Sequence, residues 1–243
     1  MKTAALIPAR FASTRLPEKL IQDLGGRTVI QRTYLSTLET GVFDEVWVVT
    51  DHELIQKQIE NLGGKVFFSR KAHESGSDRI AEALSQVDAE IIINVQGDEP
   101  FQDKESLEEL KKAFGDSSVE VASLYFKISE EEAVNPNFVK VVLNEHSDAL
   151  YFSRSPIPYN RDKKEGISYL KHVGIYGYRR EILESFPTWD KGKLEELEML
   201  EQLRLLERGI KIRMVETNQQ AIAIDTVEDL EKAREFQRRL GKG

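Results

Sequence analysis

Residues 90–100, EIIINVQGDEP, decide the fold. A short apolar run with no alternation stops at a polar turn carrying a glycine and two acids. Such a run reads as a strand covered on both faces, as strands of parallel sheets are. The same design occurs twice upstream, in AALIP at 4–8 and EVWVVTD at 45–51. Helical patterns lie between: 28–40 and 53–62 show apolar spacing near 3.6, with Gly41 and Gly63 as stop signals, and 76–87 reads as a third helix. This β-α-β-α-β rhythm predicts an α/β fold, a three-layer α/β/α sandwich around a mainly parallel central sheet.

Past residue 119 the rhythm changes. VEVASLYFKI, FVKVVLNEHSDALYFSR and YLKHVGIYGYR read as antiparallel strands, with NEHSD at 144–148 as a hairpin turn. Residues 119–172 therefore read as a smaller antiparallel insertion in a single domain spanning 1–243. The main fold then resumes with a helix over 194–208, whose leucines stand at 194, 197, 200, 203 and 206 before Gly209. IKIRMVE and AIAID follow as strands, and TVEDLEKAREFQRRL closes the chain as a helix with a capping box from Thr226 to Asp229.

The bulk numbers narrow the function. The chain has 243 residues, 40% hydrophobic and 31% charged, which suits a packed globular domain. It has no cysteine, so disulfides and thiolate-held metals are excluded. The N-terminus shows no signal peptide and no stretch is long and apolar enough to span a membrane, so a cytoplasmic location is expected. A net charge of -8 argues against nucleic acid as a partner.

Ligands of open α/β sheets bind beyond the carboxyl ends of the strands. The loop after the first strand, residues 8–19, carries Arg10, Arg15 and Lys19 with Ser13 and Thr14, a set that can cradle a triphosphate. Neither G-x-G-x-x-G nor G-x-x-x-x-G-K-[ST] occurs, which disfavours a dinucleotide-binding dehydrogenase and a P-loop NTPase. In the 94–100 loop Gly97 permits a tight turn, and Asp98 can hold Mg²⁺, a hard cation that prefers oxygen. Asp225, at the end of AIAID, is a second strand-end acid. An aspartate taken alone in such a place is usually a turn or cap residue. Ser75-Gly-Ser-Asp-Arg79 suits an anion or a base, or else a plain helix cap at Ser77. Arg154 and the alternating face of His172, Gly174, Tyr176 and Tyr178 suit a polyhydroxylated acid, or else form an ordinary sheet face. Glu198, Glu201 and Gln202 share one helix face, whose plain reading is a solvated surface.

Nine segments in order resemble one family: IPARFASTRLPEK, VVTDHE, SGSDR, NVQGDEP, NPNFVKVVL, ALYFSRSPIP, HVGIYGYR, LEMLEQLR and IDTVEDLE. The chain resembles the CMP-Kdo synthetases, the 3-deoxy-manno-octulosonate cytidylyltransferases, almost end to end. The resemblance implies a Rossmann-like nucleotidyltransferase fold and the reaction CTP + Kdo → CMP-Kdo + pyrophosphate, for lipopolysaccharide biosynthesis. It implies that Arg10, Ser13, Arg15 and Lys19 bind the CTP phosphates, that Ser75 and Arg79 help hold the nucleotide, and that Asp98 and Asp225 bind Mg²⁺. Gln96, Arg154, His172, Tyr176, Glu201 and Gln202 would line the sugar site. Lys19, Asp98 and Asp225 would be the catalytic set, and a homodimer is implied, with the inserted region at the contact. Related ulosonic acids, of the 8-amino-Kdo or sialic acid type, are the alternative acceptors. Two departures stand out: Glu18 replaces the glycine of the usual RLPGKPL, and Val227 replaces the proline of DTPEDL.

Overall fold

The computed structural model describes residues 1–12, 15–71, 73, 75–219 and 222–241. In chain order the elements are β1 (Thr3–Ala9), α1 (Val29–Glu39), β2 (Glu45–Thr50), α2 (Glu53–Glu60), β3 (Lys65–Phe68), α3 (Gly76–Ala83), β4 (Ile91–Asn94), α4 (Lys104–Ala113) and β5 (Val121–Ile128). There follow α5 (Glu130–Ala133), β6 (Lys140–Leu143), β7 (Ala149–Ser153), β8 (Tyr169–Arg179), α6 (Arg180–Ser185), α7 (Lys193–Glu198), α8 (Gln202–Glu207), β9 (Ile212–Glu216) and α9 (Val227–Arg239). The α/β fold is thus as the sequence indicated, with mostly parallel strands and antiparallel additions. β3 and α4 were not anticipated. No helix among the described residues is long and apolar enough to cross a membrane.

The chain forms two compact units, one of Met1–Leu107, Arg179–Pro187 and Ala221–Gly243, the other of Glu108–Tyr178 and Thr188–Gln220. The 119–172 stretch lies wholly in the second.

In the first unit the strands pair in parallel in the order β3-β2-β1-β4. β1 has a neighbour on each side, and Ala4, Ala5, Leu6 and Ile7 are fully buried, which is why its sequence is apolar without alternation. β2 lies on one side of β1, whereas β4 returns to the other, pairing Leu6 with Asn94. The strand order therefore reverses at β1. The crevice beyond the carboxyl ends at such a reversal is where α/β sheets take ligands, and here it is bordered by the loops that follow β1 and β4. Those two loops meet closely. A Cβ on Gly97 would lie 2.7 Å from the Pro8 carbonyl oxygen, so only glycine fits, and the Gly97 carbonyl accepts from Thr33 Oγ1 at 2.9 Å.

The helices begin where their caps place them. Thr28 and Gln31 form a capping box on α1, Thr226 and Asp229 one on α9 as expected, and His52 Nδ1 accepts from Leu54 N at the start of α2. The cap of α3 is Ser75 rather than Ser77, which is buried within the first turn. The strand expected at 221–225 does not form over 222–225. A single backbone bond from Ile224 N to Asp98 O, 3.0 Å, ties that segment to the β4 turn in place of a ladder.

In the second unit β5 runs antiparallel to β8 and parallel to β9, while β6 and β7 form the expected hairpin. Its turn closes through Asn144 N to Asp148 O at 2.9 Å, with Ser147 at φ 61°. The β5–β8 register slips between Ser123 and Leu124, from Tyr176 to Val173. That slip is two residues on β8, so it preserves which face each side chain takes. The helix expected over 194–208 is instead α7 and α8, divided at Met199, which is left-handed at φ 54°. The leucine spacing explains the break. At 3.6 residues per turn a strict three-residue repeat rotates by about 60° per step, so five such leucines cannot share one face. After the bend Leu200, Leu203 and Leu205 are buried, while Leu197 is 81% exposed. The bend also lets Glu195 meet Arg204, with Nε to Oε2 at 2.7 Å and Nη2 to Oε1 at 2.5 Å, in a buried forked ion pair.

Candidate active site

Lys19 is the hub of the first cluster. The β1 loop turns through Glu18, which is left-handed at φ 52° and ψ 31°, and delivers Lys19 as the first residue of a 3₁₀ turn. Its ammonium contacts Asp98 Oδ2 and lies 3.0 Å from Asp225 Oδ1. Arg15 Nη2 reaches the same Asp225 oxygen at 3.0 Å. Residues separated by 79 and 206 positions in the chain thus converge, with both aspartates on the one ammonium. Asp225 is held from behind by its own N–H, which donates to Asp229 Oδ2 at 3.2 Å. The site stays reachable: the Lys19 side chain is 13% exposed, Asp98 25% and Asp225 35%.

Two carboxylates and two cations in contact are close to charge balance, so a polyanion entering here needs further positive charge. Mg²⁺ would supply it. Among the described residues no group of three or more potential ligands converges. Two carboxylates focused on one point are nevertheless what Mg²⁺ takes from a protein when substrate phosphates and waters complete its octahedron. The donor set fits the ion.

Arg10 is exposed in the loop after β1, and Ser13, assigned to the phosphates by resemblance, lies outside the described residues. Ser75 accepts from Asp78 N at 3.1 Å, so its hydroxyl oxygen serves as the helix cap. Arg79, one turn on, is buried. Its Nη2 donates to Asp51 Oδ2 at 2.8 Å, while Nη1 is buried with no hydrogen-bond partner among the described residues. A buried guanidinium satisfied on one arm only calls for a further acceptor. Gln96 sits in the β4 turn, where its carbonyl accepts from Glu99 N.

The remaining residues that the resemblance assigns to the sugar belong to the second unit. His172 Nε2 lies 3.2 Å from Ser123 Oγ, and its ring is 5.2 Å from those of both Phe152 and Tyr176. Burial first, and the Lys171 charge second, lower its pKa to about 3, so it is neutral near pH 7. Tyr176 stacks on Tyr178 at 5.8 Å, as the alternating face requires, and burial raises its phenol well above the usual value, with Tyr178 and Glu201 adding to the effect. A hydrogen bond with Ser123 acts in the opposite sense, and Nε2 of the buried Gln202 has no hydrogen-bond partner among the described residues. Glu201 is the residue before α8. Arg154, also assigned to the sugar by resemblance, has backbone partners. Its guanidinium donates to the carbonyls of Glu198 at 2.9 Å, Pro136 at 3.2 Å and Met199 at 3.4 Å, which braces the α7–α8 bend. Glu198 is likewise engaged, accepting from Ser153 Oγ at 2.6 Å and Arg154 N at 3.0 Å.

Three contributors were not read from sequence. Asp51, the partner of Arg79, stood in the quoted VVTDHE without a role. Lys140 is fully buried, and its ammonium donates to the carbonyls of Asn135 at 3.1 Å, Phe138 at 2.5 Å and Arg154 at 2.5 Å. A charge inside the apolar run FVKVVL was the available signal. The third is Phe11 against His52, whose rings stack at 3.7 Å and 6°; nothing in the spacing announces that contact.

The chain is similar to known proteins along almost its whole length. A family described as Cytidylyltransferase matches residues 4–212. The 3-deoxy-manno-octulosonate cytidylyltransferase of Flavobacterium johnsoniae is 52% identical over 238 residues, 96% of this chain and 98% of that protein. The enzyme of the same description from Christiangramia forsetii is 49% identical over 97% of this chain and 96% of its own length. Among solved structures, a CMP:2-keto-3-deoxy-manno-octonic acid synthetase complexed with CTP superposes with a TM-score of 0.94 at 43% identity, covering 99% of this chain and 100% of that one.

Proposed function

The chain belongs to the cytidylyltransferase family, and from that premise we propose how its own residues carry out the reaction. It is a 3-deoxy-manno-octulosonate cytidylyltransferase, which joins CTP and Kdo to give CMP-Kdo and pyrophosphate for lipopolysaccharide biosynthesis. The observation that carries the residue roles is the convergence of Lys19 on Asp98 and Asp225 at the strand-order reversal.

Arg10, Arg15 and Lys19 hold the triphosphate, the arginines with forked donors and the lysine as a compact charge. Arg79, fixed through Asp51, offers its unpartnered Nη1 to the nucleotide. Gln202 offers a buried Nε2 with no partner among the described residues, suited to a sugar hydroxyl, and Tyr176, His172, Glu201 and Gln96 are the other residues assigned to the sugar. Arg154 acts through its grip on the α7–α8 bend, which sets where Glu201 and Gln202 stand. The anomeric hydroxyl of Kdo attacks the α-phosphorus in line: one P–O bond forms, the hydroxyl proton passes to solvent, the bond to the β-phosphate oxygen breaks, and pyrophosphate leaves. Positioning and charge neutralisation carry such a displacement. Lys19 and Arg15 stabilise the charge that grows on the leaving group. Mg²⁺ bound by Asp98 and Asp225 would neutralise phosphate charge and make the attacking hydroxyl more acidic. No side chain in the cluster is placed as a general base.

A cytoplasmic homodimer completes the reading. Asp98→Asn tests the assignment. The variant keeps the carbonyl that holds Ile224 N, so unfolding and circular dichroism stay close to wild type while turnover is lost. Near-normal turnover with added Mg²⁺ would overturn the metal role.

A further inference from the structure

The aromatic pair Phe11–His52 has no part in the chemistry above, yet it lies within the nucleotide-side cluster. Phe11 follows Arg10 directly in the loop after β1, and His52 follows Asp51, the residue that holds Arg79. The rings are near parallel, 6° apart in orientation, with centroids at 3.7 Å, and both residues are partly exposed. His52 is fixed independently of Phe11, because its Nδ1 caps α2 and its own N–H donates to Thr50 Oγ1 at 3.2 Å. One ring of the stack is therefore anchored to the end of β2, and the other belongs to the loop carrying exposed Arg10 and Arg15. Long cations on an untethered loop lose conformational freedom when a ligand orders them, and that loss weakens binding.

We propose that His52 is a positioning residue for CTP: by stacking on Phe11 it pins the cation-bearing loop after β1 in its binding shape before the nucleotide arrives. The inference rests on the assignment of residues 10–19 to the CTP phosphates, and it deepens that assignment.

The two jobs of His52 separate by substitution. His52→Asn retains a side-chain cap on α2 but removes the ring. His52→Phe retains a ring but removes the cap. The stack predicts that His52→Asn raises KM for CTP roughly three- to tenfold, the range an aromatic pair is worth, with kcat and KM for Kdo unchanged. Phe11→Leu does the same, whereas His52→Phe keeps KM for CTP near wild type and lowers Tm. Tryptic cleavage after Arg10 and Arg15, followed without nucleotide, speeds up in His52→Asn and Phe11→Leu but not in His52→Phe. The proposal is overturned if His52→Asn leaves both KM for CTP and loop cleavage unchanged. It is also overturned if His52→Phe raises them as much as His52→Asn, since the cap would then be the acting group. If wild-type protein fails to use CTP at all, the functional assignment falls, and the cleavage rates still decide the pinning.

Discussion

Glu18→Gly should stabilise the protein. Glu18 sits at φ 52° and ψ 31°, directly before Lys19. A left-handed conformation costs an L-residue about 1–2 kcal/mol. Glycine escapes that strain but loses about 0.5–1 kcal/mol more backbone freedom on folding. The difference leaves a net gain of about 0.5–1 kcal/mol, and for a chain of this size that raises Tm by about 1–4 °C. Glu18→Ala is the control, because it removes the carboxylate yet keeps the Cβ that makes the conformation costly. Its Tm does not rise. Both variants remove a negative charge one residue from Lys19, so both lower KM for CTP. Thermal unfolding by calorimetry at one pH, with initial rates at varied CTP, separates the two effects. A Tm rise in Glu18→Ala equal to that of Glu18→Gly, or a fall in Glu18→Gly, would refute the strain argument.

Two further perturbations follow from the geometry. Gly97→Ala puts a methyl 2.7 Å from the Pro8 carbonyl oxygen, so the β1 and β4 loops must part. Stability falls by about 1–3 kcal/mol as for other overpacked sites, and turnover falls further because Asp98 is displaced; unchanged kcat would contradict the close approach. For His172 the folded pKa of about 3 lies below the unfolded value of 6.5. The unfolded chain therefore binds the extra proton between those values, and the stability is full above pH 6.5 and is lost as pH falls toward 3. Between pH 7 and pH 5 its share amounts to about 2 kcal/mol. Denaturation midpoints at those two pH values should differ less in His172→Asn than in wild type, and equal differences would show that His172 titrates normally in the fold.

The parallel half of the molecule was legible because burial on both faces leaves apolar runs that nothing else explains, as at 4–8, 45–51 and 91–94. The 194–208 region misled for the opposite reason. Its leucines signal a helix, but three-residue spacing rotates around the axis, and only the packing shows where the chain gives way at Met199. The acids at 98 and 225 could be named separately from their places at strand ends. Their meeting through Lys19 depends on contacts across 79 and 206 positions, which periodicity does not encode. Arg154 was visible as a conspicuous cation, yet its carbonyl partners at Pro136, Glu198 and Met199 are backbone groups without a sequence signature. The departure at Glu18 was visible from resemblance alone. Its physical meaning, a side chain forced into a left-handed turn beside Lys19, required the backbone angles.

The central claim is tested most directly by incubating the purified protein with CTP, Mg²⁺ and Kdo, following pyrophosphate release, and identifying the sugar nucleotide by mass. The account predicts stoichiometric CMP-Kdo and pyrophosphate, with the reaction lost on chelation of the metal and in Asp98→Asn. Absence of CMP-Kdo from wild-type protein under these conditions, or its undiminished formation by Asp98→Asn, would contradict it.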